Sequence, residues 1–273
     1  MTHTVRGDRR PRGRPFFLPY NRGMTFLRLF ALSLSCALLA ACSGAPVEER
    51  NPLATWVPSS NHNARMPVVI VLHHTDQHSV QQSLDTLRSA NSGGKVSAHY
   101  LIGADGARYQ LVADDRRAWH AGPGRWGTIT DLNSASIGIE LDNDGDTPFS
   151  EAQIQSLIVL LQDLTTRLRI PPSQVIGHAD LAPSRKQDPS RFFPWERLAQ
   201  AGFGVWPRDI DGVPPAGFDA WQALATFGYP LDDRNAAVSA FHRRFRGRDD
   251  LPAVLDTEDA RILYSLQQQA MAQ

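Results

Sequence analysis

The chain has 273 residues, 42% of them hydrophobic and 21% charged, a balance that suits globular structure and excludes wholesale disorder. Its 28 basic residues equal its 28 acidic ones, so there is no net positive charge to recruit nucleic acid, and none is expected as a partner. The charge is nevertheless uneven: seven of the bases and one of the acids precede residue 42, which leaves the remainder at −6.

The first 42 residues therefore read as a separate kind of polypeptide. Phe26 to Ala41 form an apolar run, shorter than the roughly 20 residues of a membrane span but suited to a secretory signal after a basic lead. That lead can start at Met1 or at Met24. The run closes in Leu39-Ala40-Ala41-Cys42, which resembles a bacterial lipobox and implies a lipidated Cys42. The alternative is an ordinary signal peptide with an incidental cysteine. Cys36 and Cys42 are the only cysteines, so the processed chain is expected to hold neither a free thiol nor a disulfide. Ser43 in place of Asp implies, for a Gram-negative lipoprotein, sorting to the outer membrane with the protein facing the periplasm. Residues 43–66, rich in Pro, Ser, Asn and Ala, read as a tether.

PVVIVL (67–72) is the pattern of a strand buried on both faces, and it ends at His73-His74. Val80, Leu84 and Leu87 have helical spacing. Residues 96–102 and 107–112 flank Ala104-Asp105-Gly106, a hairpin signal. In SIGIEL (136–141), Ile137, Ile139 and Leu141 share one face, and Gly138 and Glu140 the other. Ser150 and Gln153 form the pattern of a capping box, opening a helix that buries Ile154, Leu157, Ile158, Leu161, Leu164 and Leu168 and stops at Pro171-Pro172. A short strand at 174–177 then delivers His178. The sum is an α/β domain over 67–206 with a central mixed sheet flanked by helices. Residues 207–215 read as a linker, and 216–273 as three short helices around Phe218, Trp221 and Leu224, then Val238, Phe241 and Phe245, then Ala260, Leu263 and Leu266.

Polar residues at strand ends are the candidates for chemistry. His73, His178 and Asp188 offer the nitrogen and oxygen donors of a three-ligand catalytic zinc site. Lys186 lies two residues from Asp188, so an extended backbone turns both side chains to one side. Taken alone, each has an ordinary alternative: a hydrogen-bonded histidine, a solvated Lys-Asp pair.

IVLHHT (70–75), VSAHYLIGADG (96–106), AWHAG (118–122), SIGIEL (136–141), GHADLAPSRKQDPS (177–190) and FPW (193–195) together resemble the zinc N-acetylmuramoyl-L-alanine amidases of the amidase-2 family, in their outer-membrane lipoprotein type; the family includes phage lysozyme-amidases and is similar to peptidoglycan recognition proteins. The resemblance implies one Zn2+ held by His73, His178 and Asp188, with Glu140 as acid/base and Lys186 stabilising the transition state. His74 is expected to turn away from the metal, because adjacent strand residues face opposite sides. The reaction implied is hydrolysis of the amide between N-acetylmuramic acid, or its 1,6-anhydro form, and L-alanine. Trp119, His120 and Tyr100 are the candidate substrate contacts, with burial as their alternative. Ala98 stands where phage-type relatives carry Tyr, which throws the acid/base role onto Glu140. The final helices resemble a peptidoglycan-binding module, the alternative being a cap on the catalytic domain. Peptidoglycan is the expected partner, a lipid anchor the expected link to membrane, and a monomer the expected state. Two rival functions remain: a muropeptide binder without catalysis, and a zinc hydrolase of other N-acyl amino acids.

Overall fold

The protein is described here from a computed structural model covering residues 50–64, 66–91 and 94–272, together with Thr2. The signal and lipidation expectations, Cys42 included, fall outside the described residues. Residues Glu48–Gln273 form one compact unit.

Six strands make the central sheet: β1 (Thr55–Trp56), β2 (Val69–His74), β3 (Tyr100–Ile102), β4 (Arg108–Gln110), β5 (Ser136–Leu141) and β6 (Val175–Gly177), in spatial order β1-β4-β3-β5-β2-β6. β3, β5, β2 and β6 run parallel, while β3 and β4 form the antiparallel hairpin expected around Ala104-Asp105-Gly106. Eight helices surround the sheet among the described residues: α1 (Val80–Arg88), α2 (Leu132–Ala135), α3 (Glu151–Leu168), α4 (His178–Leu181), α5 (Trp195–Gln200), α6 (Ala220–Phe227), α7 (Arg234–Phe245) and α8 (Thr257–Met271). None is long and apolar enough to cross a membrane.

Period-two alternation divides the core. Ile70, Leu72, Ile137, Ile139, Leu141 and Val175 pack with Ile154, Leu157, Leu160, Leu161 and Leu164 of α3. Val69, Val71 and Ile176 face the other way, into a cluster with Leu224 of α6, Phe241 and Phe245 of α7 and Leu263 of α8. The C-terminal helices thus share a core with the sheet instead of enclosing one of their own. At roughly 1.5–3 kcal/mol for each large apolar side chain removed from water, both layers hold the sheet firmly.

Three sequence expectations change in detail. Residues 50–61 are not a free tether: Asn51 is buried, its N–H donates to Gln110 Oε1 at 2.9 Å and its Nδ2 to Asp163 Oδ2 at 2.8 Å, and β1 pairs with β4. Ser150 does cap α3, accepting from Gln153 N at 3.0 Å, but the Gln153 side chain donates instead to Ile102 O and Asp142 O. α3 also ends before the prolines, at Arg169 in the left-handed region with φ 55°.

Candidate active site

Parallel register sets the first part of the site. His73 of β2 pairs with Glu140 of β5, so both side chains emerge from the same face, at the carboxyl ends of their strands. This is the face that carries Val69 and Val71 lower down; the pattern turns from apolar to ionisable where the packing helices end. β6 stops at Gly177, and His178 opens α4 beside its neighbours. Asp188 returns on the following loop. The donor atoms of His73, His178 and Asp188 lie within 4.8 Å of one another, and all three residues are buried. These three residues could hold a metal ion.

Their hydrogen bonds test that reading. Asp188 Oδ2 lies 2.9 Å from His73 Nδ1 and 3.0 Å from His178 Nδ1. His178 Nε2 meets the Ala121 carbonyl at 2.8 Å, and a carbonyl only accepts, so Nε2 carries the proton. On the other side, Ser136 Oγ donates to Leu132 O at 2.5 Å and accepts from His120 Nε2 at 3.3 Å. His120 Nδ1 is then an acceptor, and His73 Nε2, 3.0 Å away, is its donor. With a single proton on each ring, the Nδ1 lone pair of both imidazoles therefore faces the same carboxylate oxygen. Two lone pairs around an anion repel unless a cation lies among them, and the donor set fits a divalent metal. Burial, then His178, brings the His73 pKa down to about 4, which keeps a proton off that ring at neutral pH.

Glu140 stands next to this group. Its Oε2 is buried and has no hydrogen-bond partner among the described residues. Burial, reinforced by the Asp188 charge, pushes its pKa well above the ordinary value, and Lys186 opposes the shift. A carboxyl so placed is poised to exchange a proton. Lys186 lines the same cleft of about 570 Å³ as His73, Glu140, His178 and Asp188.

The substrate-contact expectations divide. Tyr100 is corrected outright: it is fully buried in the α3-side core, and its hydroxyl donates to Asp114 Oδ1 at 2.7 Å. Its register partner is Ile139, so it emerges on the face opposite Glu140. Trp119 does not line the cleft; the Arg117 guanidinium covers its ring at 4.5 Å. His120 does line it, but both ring nitrogens serve the chain from Ser136 to His73. Gly138 makes that possible, since a Cβ there would lie 2.5 Å from the His120 ring. His74 turns away from the three donors and accepts from Ser190 N at 3.1 Å, as strand alternation requires.

Three arginines of the cleft wall, Arg185, Arg191 and Arg243, were not singled out from sequence. Arg185 follows the metal-side turn and donates to Ala121 O and Pro123 O, both at 2.7 Å. Arg243 belongs to the FHRRF segment, and no sequence signal ties it to a cleft formed more than fifty residues earlier.

The sequence profile of N-acetylmuramoyl-L-alanine amidases matches residues 63–191. The chain is 40% identical over 255 residues to N-acetylmuramoyl-L-alanine amidase AmiD of Escherichia coli, which spans 80% of this chain and 90% of that protein. A solved complex of Escherichia coli AmiD with anhydro-N-acetylmuramic acid-L-Ala-D-gamma-Glu-L-Lys superposes with a TM-score of 0.66 at 34% identity, covering 76% of this chain and 90% of that one. AmpDh3 of Pseudomonas aeruginosa in complex with anhydromuramic pentapeptide gives 0.65 at 30% identity, over 84% and 99% of the two chains.

Proposed function

The chain belongs to the N-acetylmuramoyl-L-alanine amidase family, and from that premise we propose that its cleft hydrolyses the amide between N-acetylmuramic acid, or its 1,6-anhydro form, and L-alanine, with Glu140 as acid/base. The enzyme is a hydrolase of peptidoglycan fragments. The observation that carries the assignment of the site is the convergence of two imidazole nitrogens on a carboxylate oxygen beside the buried Glu140.

His73, His178 and Asp188 would hold a zinc ion, which supplies a Lewis acid and an acidified water when bound. His178 is held in the right tautomer by Ala121 O, and His73 by His120 and Ser136. Glu140 takes a proton at its free Oε2 from the water whose oxygen adds to the lactyl carbonyl carbon, and returns it to the alanine amine as the C–N bond breaks; a positioned acid/base contributes about 10²–10⁴ in rate. Lys186 places a positive charge on the cleft wall, where a developing oxyanion is stabilised; one such donor is worth about 10²–10³.

The Leu39-Ala40-Ala41-Cys42 pattern supports a lipid anchor at Cys42, and Ser43 supports placement at the outer membrane, facing the periplasm. Digestion of purified sacculi, followed by mass spectrometry, tests the activity. Free stem peptides beginning with alanine are expected. Release of cut glycan strands with intact muramoyl-alanine bonds would refute it, and binding without any release would favour a recognition protein.

A further inference from the structure

α7 carries two adjacent arginines with opposite duties. Arg244 turns inward and is buried. Its guanidinium donates to Asp180 Oδ2 at 2.5 Å and lies 4.2 Å over the Trp195 ring. Asp180 also accepts from Gly177 N at 2.8 Å and from the Tyr229 hydroxyl at 2.5 Å. Since Gly177 and Asp180 flank His178, α7 is fastened directly to the turn that carries a candidate metal ligand.

Arg243, one residue earlier, lines the cleft shared by His73 and Glu140. Its side chain is only 9% exposed, and Asp249 Oδ1 holds its Nε at 2.7 Å. Asp249 also approaches Arg191 Nε at 3.7 Å. The side chain is held at the cleft wall by burial against its own helix and by the Asp249 carboxylate at Nε, so little rotamer freedom remains to be lost on binding. The cleft is polarised: Arg185, Lys186, Arg191 and Arg243 follow β6 and outnumber the carboxylates Asp188 and Asp249 among them, while Asp76, Asp144 and Asp146 follow β2 and β5. An anionic group entering beside the metal site is drawn to the first side and repelled by the second.

We propose that Arg243, supported by Arg185 and Arg191, forms an anion subsite that reads a free carboxylate of the stem peptide, and so makes the C-terminal helices part of substrate recognition. The inference rests on the amidase reading. A γ-linked glutamate in the second stem position keeps its α-carboxylate free. That group belongs to the second residue beyond the scissile bond, about 7 Å away at roughly 3.5 Å per extended residue. A guanidinium fork matches a carboxylate with two parallel hydrogen bonds. The other source of the same chemistry is the peptide's terminal carboxylate; the second residue is favoured because it stays beside the reacting bond whatever the stem length.

The test uses the full-length, zinc-loaded enzyme and three muramoyl tripeptides: γ-glutamate with a free α-carboxylate, isoglutamine in its place, and γ-glutamate with an amidated C-terminus. The unmodified enzyme is expected to lose about 10–100-fold in kcat/KM on the isoglutamine substrate, mostly through KM, and little on the third. Arg243→Gln should fall to a similar level on the first substrate and cease to discriminate between the first two. Equal cleavage of the first two substrates by the unmodified enzyme, or full discrimination retained by Arg243→Gln, would overturn the proposal. A loss confined to the third substrate would overturn the assignment to the second residue. The substrate comparison stands even if the variant fails to fold. If the unmodified enzyme cleaves none of the three, the amidase reading itself fails.

Discussion

Two buried aspartates, eight residues apart, stand on either side of the same question. Asp180 is closed on every side: a guanidinium, a backbone N–H and a phenol hydroxyl all point protons at it. Asp188 faces two imidazole nitrogens whose protons are directed elsewhere, to Ala121 O and to His120. The first carboxylate already has its cation within the chain. The second lacks one, and its surroundings are built as though one were to arrive. A self-satisfied ion pair marks a joint in the fold, whereas an incomplete one marks a place for an external charge.

The comparison breaks most severely at the metal. Chelation is expected to abolish turnover, by at least about 10³-fold, and added zinc to restore it. His178→Ala should lose both metal and activity and gain nothing from added zinc. Atomic absorption alongside the muropeptide assay reads both. Activity that survives complete metal removal would put Asp188 in the same class as Asp180.

Glu140→Gln comes next. It should retain zinc but lose about 10²–10⁴ in kcat. It should also alter the pH dependence of stability in the metal-free protein. Burial raises the Glu140 pKa well above its ordinary value, so the folded state holds the proton more tightly than the unfolded chain does. Stability then falls as pH rises above the unfolded carboxyl range near ~4.3. Glu140→Gln removes that part of the slope, which melting curves of the chelated proteins would register; identical slopes would show that Glu140 titrates as if exposed.

On the Asp180 side the loss is one of stability. Arg244→Met leaves a buried carboxylate without its cation and should destabilise by about 3–5 kcal/mol, measured by denaturant unfolding. Combining it with Asp180→Asn should recover part of that loss, because the uncompensated charge is gone. A double variant no better than the single one would show that packing of Arg244 on Trp195, not charge, holds the joint.

Much of this was legible in the sequence because short-range periodicity fixes faces. SIGIEL forms β5 with the expected division, and the spacing from His178 to Asp188 closes on His73. Tyr100 failed because a strand-end hydroxyl looks available until register places it opposite Ile139, on the apolar side. His120 looked like a substrate wall because nothing local says that Gly138 leaves room for its ring beside His73. The polar segment around Asn51 read as a tether because it is held by side-chain hydrogen bonds instead of an apolar stripe. The amphipathic pattern of α7 gave its apolar side, but not the separate destinations of Arg243 and Arg244, which depend on contacts distant in the chain.

The smallest expected effect tests whether the orientation of the lone pairs is held from behind. Ser136 lies two residues away from Gly138 on β5 and does not line the cleft. Its hydroxyl is committed to Leu132 O, which makes its oxygen the acceptor for His120 Nε2 and sets the direction of every proton as far as His73. Ser136→Ala removes that acceptor without touching a metal donor. His120 can then exchange tautomers, and His73 is no longer compelled to turn a lone pair toward Asp188. Zinc affinity, measured by chelator competition, should drop by about 10–100-fold, the range for losing an outer hydrogen bond to a ligand histidine. The melting temperature of the metal-free protein should change far less than that of the zinc-loaded one. An unchanged zinc affinity would mean that His73 keeps its orientation through Asp188 alone, and the contrast between the two aspartates would then rest on His178.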